Sequence, residues 1–494
     1  MRVIFSSSQY LLAMVKYLKA LKSTLFATSD TNKRRIELLW GDRVLLLSER
    51  KRNGRYKVKA RGVEGYVDAE DLGDESLLEI YFIDVGQGDG ILIRTPDNKH
   101  ILIDGGYKRS SKPSGKNAAD FVDWKFFKDY GLNKITIDDM IASHCDADHY
   151  GGLWDLINPN ETHELDADTW KIKRFYHAGV SWWNDKTGDK PKRTNGPIED
   201  GFLTRLLEDE VDAANSLSDP DLELQGEWAE FIECLVDQDV PMKRLSYRPE
   251  DGIKTLPGYN GNVRIKILGP VEFNYNGKPA YKDLGKPSEN TNGHSITLRL
   301  DYGRVRVLLT GDLNAESQRL LLESHIGNTQ EFQSDVAKAC HHGSDDCSVE
   351  FLSHVNAGAT VISSGDNETH SHPRPAIVAA SALTGFRKIE NDKVVTPLVY
   401  STEISRSYKL GNPYEVIASG QSFTDERDIT LKFTETKSGA LRPQKKEELL
   451  DDLYVISGII YGLVNVRTDG NKIVCATLNE GKYKWDIKTF YSRF

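Results

Sequence analysis

Two imidazoles and two carboxylates fall within one six-residue run, His144, Cys145, Asp146, Ala147, Asp148 and His149, which continues into Tyr150, Gly151 and Gly152. The run follows Thr136–Ala142, a short apolar, partly β-branched segment that reads as a strand. A strand ending in such a loop can point ligands at two neighbouring ions. Neutral imidazole and ionised carboxylate are both good donors to zinc, manganese or iron. Two cations held this way would bind and activate a water.

The same device recurs along the chain. Ile101, Leu102 and Ile103 run into Asp104 and two glycines; Val305–Thr310 runs into Gly311 and Asp312; Val336–Ala339 runs into Cys340, His341, His342, Gly343 and Ser344. Each time an apolar run ends at a turn residue with a metal-competent side chain beside it. A lone Asp-Gly-Gly or Gly-Asp is usually just a turn. Their association with the His144 run makes them candidates for one binuclear site.

With Ile83–Gly90, Leu102–Gly106, Ser143–Gly152, Leu308–Leu313, His341–Ser344 and His372–Pro373 in this order, the chain resembles the metallo-β-lactamase superfamily, and within it the ComEC-like branch. The resemblance covers roughly residues 78 to 435. It implies an α/β fold, the αββα sandwich of that superfamily, with two divalent ions, Zn or Mn. Carried over by position, His144, Asp146 and a third ligand hold one metal, Asp148, His149 and His342 hold the other, and Asp312 bridges them. Two departures stand out. Asp146 occupies a position where most of the superfamily has histidine, which hardens the first site and makes manganese a competitor to zinc. The third-motif histidine has no clear counterpart, with His177 and His294 as the candidates.

At 494 residues two or three domains are expected. The expected division is 1–76, an N-terminal segment with a small SH3-like β-barrel; 77–440, the hydrolase domain with an insertion at about 155–260; and 441–494, a small C-terminal module. The barrel reading rests on strands at Arg43–Leu47, Tyr56–Ala60 and Gly65–Val67, separated by glycine turns. Met1–Phe26 is expected to be an amphipathic helix or an edge strand. Thr396–Tyr400 and Asp428–Phe433 are expected to complete the hydrolase sheet, and Leu449–Phe494 to be a closing module or an interaction surface. In the insertion, Trp182 and Trp183 are suited to stacking a base or sugar, with core packing the commoner fate of such a pair.

A formal charge of −10 gives no global basic surface for collecting nucleic acid, so any polyanion site must be local. Five scattered cysteines suggest no disulfide framework and point to a reducing, cytoplasmic home. No stretch is apolar enough for a membrane span, and the N-terminal segment lacks a small-residue cleavage site.

The resemblance implies a hydrolase in which a metal-bridging hydroxide attacks phosphorus or a carbonyl carbon. Asp148 or Asp312 would orient the hydroxide, and His341 or His372 would protonate the leaving oxygen. Ser344 and Ser348 would hold a phosphoryl oxygen, while Asp84, Asp89 and Asp104 would support the site. The expected substrate is a phosphodiester in DNA or another nucleotide. The alternatives are a small, choline- or lipid-linked phosphodiester and a non-catalytic metal-binding regulator. A protein partner would use the SH3-like or C-terminal module. Since all motifs lie beyond Ile80, residues 1–76 are expected to be dispensable for the chemistry.

Overall fold

The computed structural model describes residues 15–111, 115–365, 372–402, 463–479 and 484–494, together with six short strands between residues 409 and 457. Two sheets face each other across an apolar core. The first has nine strands, in the order Met242–Arg244, Phe175–His177, Asp139–Ala142, His100–Gly105, Gly90–Arg94, Leu78–Phe82, Val464–Thr468, Lys472–Asn479 and Lys484–Tyr491. The second has seven, in the order Thr255–Asn260, Val263–Gly269, Thr297–Tyr302, Val305–Leu309, Val336–Lys338, Ala359–Ile362 and Leu398–Ser401. Ile80, Ile91, Ile93, Ile101 and Ile103 of one sheet share a buried cluster with Ile265, Leu298, Val307, Val336 and Val361 of the other. Period-two alternation sends those branched side chains inward, while the opposite face of the first sheet packs on helices. There Leu92, Leu102 and Met140 meet Val122, Leu153, Phe231 and Leu235, and the outer face of the second sheet is covered by Leu320, Leu321, Phe351 and Val355. The result is a helix–sheet–sheet–helix sandwich.

Several sequence expectations shift. The single strand expected at Thr136–Ala142 is two, Lys134–Ile137 and Asp139–Ala142, which join different sheets because Asp138 turns aside to bond the His100 amide. The N-terminal segment forms neither a helix nor an edge strand within its described part. Val15–Leu18 and Lys22–Phe26 lie inside a seven-stranded antiparallel sheet spanning Val15 to Gly73, with its own core of Leu18, Leu25, Leu38, Val44, Val58 and Val67. Residues 1–14 lie outside the described residues. Among the described residues Thr430–Glu435 pairs with Gln444–Leu449 and with no strand of the two facing sheets.

Val464–Thr468 pairs antiparallel with Leu78–Phe82, so the last three strands are part of the first sheet. They also bind the N-terminal sheet. The Arg467 guanidinium, fully buried, donates to the carbonyls of Leu39 (3.2 Å) and Trp40 (2.6 Å) and pairs with Asp42 at 2.8 Å. The Trp485 indole donates to the Glu37 carbonyl at 3.2 Å, and Arg94 reaches both Glu79 (2.8 Å) and the Tyr17 hydroxyl (2.9 Å). A buried charge with several hydrogen bonds across a boundary resists separation, because removing one side strands the other.

Candidate metal centre

Parallel pairing brings five strand ends to one edge. Asp139–Ala142 lies parallel to His100–Gly105, and Val305–Leu309, Val336–Lys338 and Ala359–Ile362 run parallel in the facing sheet. Asp104 stands at the end of its strand, and the loops beyond the others carry His144, Asp312, His341 and His342, the usual position for ligands in such sheets.

Glycines set how closely these loops approach. Helix Ala147–Asp155 lies flush on the end of the neighbouring strand, where a Cβ on Gly152 would fall 2.1 Å from the Gly105 carbonyl oxygen. This contact fixes the first turn of the helix and hence Asp148 and His149. Asp104 itself takes a positive φ of 57°, which turns its carboxylate back toward the site. Its Oδ1 accepts the Ser143 amide at 2.7 Å and its Oδ2 meets His149 Nδ1 at 2.9 Å. On the other side, His341 and His342 both adopt left-handed backbone, φ 45° and 52°, ahead of Gly343. Two consecutive non-glycine residues there cost on the order of 1–3 kcal/mol each, a strain characteristic of functional loops.

Asp312 is the focus. Its Oδ2 lies 2.9 Å from His342 Nε2, 3.2 Å from His149 Nε2 and 3.9 Å from His341 Nε2. The donor atoms of His144, His149 and Asp312 lie within 4.8 Å of one another, as do those of Asp148, His149 and His342. Asp146 stands at the rim, 3.8 Å from His144 Nε2, with the Trp182 indole N–H 3.4 Å from its Oδ1. Gln87 donates to Asp148 at 3.2 Å.

The electrostatics fit cations. Burial disfavours charge on His342, but Asp312 and Asp89 overcome it and push its pKa up to about 10. His149 is likewise raised well above its ordinary value, against burial, by Asp312, Asp104 and Asp148. Burial and then Asp148 push Asp146 up to about 7, whereas burial and His149 hold His144 well below the usual imidazole range. The acidic cluster thus collects positive charge, and His144 Nε2, fully buried, has no hydrogen-bond partner among the described residues. Imidazoles oriented through one nitrogen, carboxylates facing them and an orphaned buried nitrogen form a set that divalent ions fit.

The remaining expected site residues divide. His372 lies at the edge, its ring centroid 5.8 Å from His341 and 6.4 Å from His342; the neighbouring His370 falls outside the described residues. Asp84 holds a turn, accepting the Gly86 amide at 3.3 Å. Ser344 accepts the Asp346 amide at 3.3 Å. Ser348, expected to hold a phosphoryl oxygen, has its hydroxyl engaged as the N-cap of helix Val349–Val355, where it accepts the Phe351 amide. His177 and His294 stay outside the donor clusters. His294 Nε2 faces the Lys282 carbonyl at 2.9 Å and its ring stacks on Tyr281, while His177 lies in the core against Phe175.

Sequence reasoning missed Lys338. It is fully buried behind the centre, paired with Asp89, 2.7 Å from the Gly311 carbonyl and 3.4 Å from Asp312 Oδ1. Burial opposes its charge, yet Asp89 and Asp312 raise its pKa. Its signal was a single lysine ending the otherwise apolar strand Val336–Lys338. The Ser143 and Ser295 hydroxyls, 3.0 and 3.3 Å from His144 Nδ1, were missed as well.

Parts of the chain are similar to known proteins. ComE operon protein 3 of Bacillus subtilis (strain 168) is 22% identical over 324 residues, 64% of this chain and 32% of that protein. Competence protein ComA of Neisseria gonorrhoeae is 32% identical over 112 residues, 22% of this chain and 16% of that protein. The chain thus spans about a third and about a sixth of the lengths of these two relatives. Among solved structures, a metal-dependent hydrolase of the beta-lactamase superfamily matches at 14% identity and TM-score 0.29, covering 61% of this chain and 91% of that one. A diphosphatase from the PhnP family matches at 11% identity and TM-score 0.25, covering 57% and 85%. The family profile for the metallo-beta-lactamase superfamily spans residues 83–346, just over half of the chain and the stretch that holds Asp89, Asp104, the His144 loop, Asp312 and His342. With the sandwich fold and the clustered donors, that match makes the chain a member of the metallo-beta-lactamase superfamily.

Proposed function

We propose that this metal-dependent hydrolase cleaves phosphodiesters, with nucleic acid as its substrate class. The observation that carries the reading is the convergence of His149 and His342 on Asp312, with His144 and Asp148 completing two overlapping donor sets. The relative named as a competence protein supports the nucleic-acid part.

His144, His149, Asp148, His342 and Asp312 would hold two divalent cations, with Asp146 at the rim. When bound, such ions supply Lewis acidity and an activated water.

The chain's own groups prepare that chemistry. Asp104 accepts from His149 Nδ1 and the Ser363 carbonyl, at 3.1 Å, accepts from His342 Nδ1, so each ring turns Nε2 toward Asp312. Lys338 secures the far oxygen of Asp312 and neutralises Asp89, which fixes the carboxylate without occupying its inner oxygen. His341 is the partly exposed imidazole of the cluster, 3.4 Å from the Asn292 side-chain nitrogen. Burial lowers its pKa, so it is neutral at pH 7 and can accept a proton there. His372 lies close enough to share a proton-transfer role with it.

The test is hydrolysis of bis-p-nitrophenyl phosphate and of single- and double-stranded DNA by zinc- or manganese-loaded protein, with a chelated control. Chelator-sensitive diester cleavage is expected. A metal-replete protein that leaves every diester intact while hydrolysing a carboxylic ester or lactam would refute the reading.

A further inference from the structure

The insertion places an uncompensated cation beside the metal centre. Trp183–Asp185 pairs antiparallel with Lys192–Thr194 on one side and Leu222–Leu224 on the other. Trp183 is buried in the core, and Trp182, just before the strand, aims its indole N–H at Asp146. The Arg193 guanidinium stacks 3.9 Å above the Trp182 ring. So the indole edge faces Asp146 and its face holds Arg193.

Arg193 has nothing else to hold. No carboxylate among the described residues lies within ion-pair distance of it, nor of Lys190 or Lys192. Of the hairpin's acids, Asp185 accepts the Thr187 amide (2.9 Å) and hydroxyl (2.6 Å) and lies across the strand pair from Lys192, Glu223 pairs with Lys186 at 2.6 Å, and Asp189 in the loop makes no ion pair with Arg193. Residues Lys190 to Arg193 are exposed in a chain of net charge −10. An arginine fixed by an aromatic face, next to a site for phosphoester chemistry and without an anionic partner, is placed to receive one. Its planar fork matches a phosphate.

We propose that Arg193, held on Trp182, with Lys190 and Lys192 beyond it, binds the phosphodiester backbone flanking the scissile bond, so that the site selects a polynucleotide strand over a small diester. This inference rests on the phosphodiesterase reading above. It also assigns the Trp182 face to a positioning role in place of direct base stacking.

Two readouts on the full-length chain test it. The first is anisotropy of a fluorescein-labelled oligothymidylate in EDTA, which needs no turnover. Arg193→Ala should weaken binding about tenfold and lower the slope of log affinity against log salt by roughly 0.7–0.9. Arg193→Lys should restore the slope but only part of the affinity, and Trp182→Leu should weaken binding with arginine in place. The second is kinetics with loaded enzyme, in which Arg193→Ala should lower kcat/KM for the oligonucleotide at least about tenfold more than for bis-p-nitrophenyl phosphate. Equal losses on both substrates, or an unchanged salt slope, would overturn the assignment. If the wild type cleaves no diester at all, the phosphodiesterase reading fails, and the anisotropy series still decides whether Arg193 binds the strand.

Discussion

Lys338→Met removes the buried ammonium and keeps most of the side chain's volume. It leaves Asp89 and Asp312, 1% and 2% exposed, behind the site without their shared cation. Breaking a buried ion pair from one side costs about 3–5 kcal/mol. Part of that is offset, since Asp89 keeps His342 Nδ1 at 3.4 Å and Asp312 keeps His149 and His342, so a loss of about 3 kcal/mol is expected. Urea unfolding of chelator-treated protein, followed by tryptophan fluorescence and circular dichroism, measures it. The pH dependence has a definite sign. In the wild type Lys338 and His342 outweigh burial and depress the Asp89 pKa, so its contribution is present at neutral pH and lost as pH falls through the folded value. In the variant only His342 and His149 still oppose burial, so the Asp89 pKa rises relative to the wild type and protonation relieves part of the strain. The gap between the two proteins should therefore narrow on acidification. Asp89→Asn combined with Lys338→Met should recover at least half of the loss. A single-variant loss below about 1 kcal/mol, the scale of an exposed pair, would refute the reasoning.

Asp104→Asn should weaken metal binding by roughly 10- to 100-fold, read by competition with a chromogenic chelator, because the His149 ring loses its charged acceptor. His342→Ala should lower metal content on elemental analysis, whereas His341→Ala should keep the metal and slow turnover by about 10²- to 10⁴-fold. Burial, with Arg94 and Arg244 respectively adding to it, pushes His100 and His177 down to about 3. The unfolded chain then takes up protons below about pH 6.5 that the native state refuses, so stability should fall between there and about pH 3 by up to ~1.4 kcal/mol per pH unit for each histidine. His177→Leu should flatten that limb in urea titrations at stepped pH. Deleting residues 1–76 should give insoluble or unfolded protein, judged by gel filtration and circular dichroism. It strips Leu39 and Trp40 from the cluster around Val474 and Trp485 and strands Arg467. A soluble, folded truncation would show that the junction is dispensable.

The candidate donors of the His144–His149 run were legible because they are contiguous, and Asp312 and His342 because each follows an apolar strand at a turn. Lys338 was not. A lysine in a three-residue strand carries no sign of burial until Asp89 arrives from a distant loop. Trp182 and Trp183 show the limit of composition: adjacent in sequence where a strand begins, one is buried in the core and the other aims its indole N–H at Asp146. Strand character in Val464–Tyr491 was visible as a hairpin pattern, but its partner was not, because register with Leu78–Phe82 is set by packing at long range. The N-terminal sheet was readable from Arg43 onward. Its first three strands hid behind the lysines and arginines that line them.

The pairing of Phe82 with Val464 also sets a clock for biosynthesis. The two partners are about 380 residues apart, so at ~5–20 residues per second the edge of Leu78–Phe82 waits roughly 20–75 s for its neighbour on the ribosome. Throughout that interval five consecutive buried-type residues present bare amide and carbonyl groups, a template for pairing with another nascent chain. Yield in a cell should accordingly depend on how quickly the last strands emerge and on which chaperone covers that edge meanwhile.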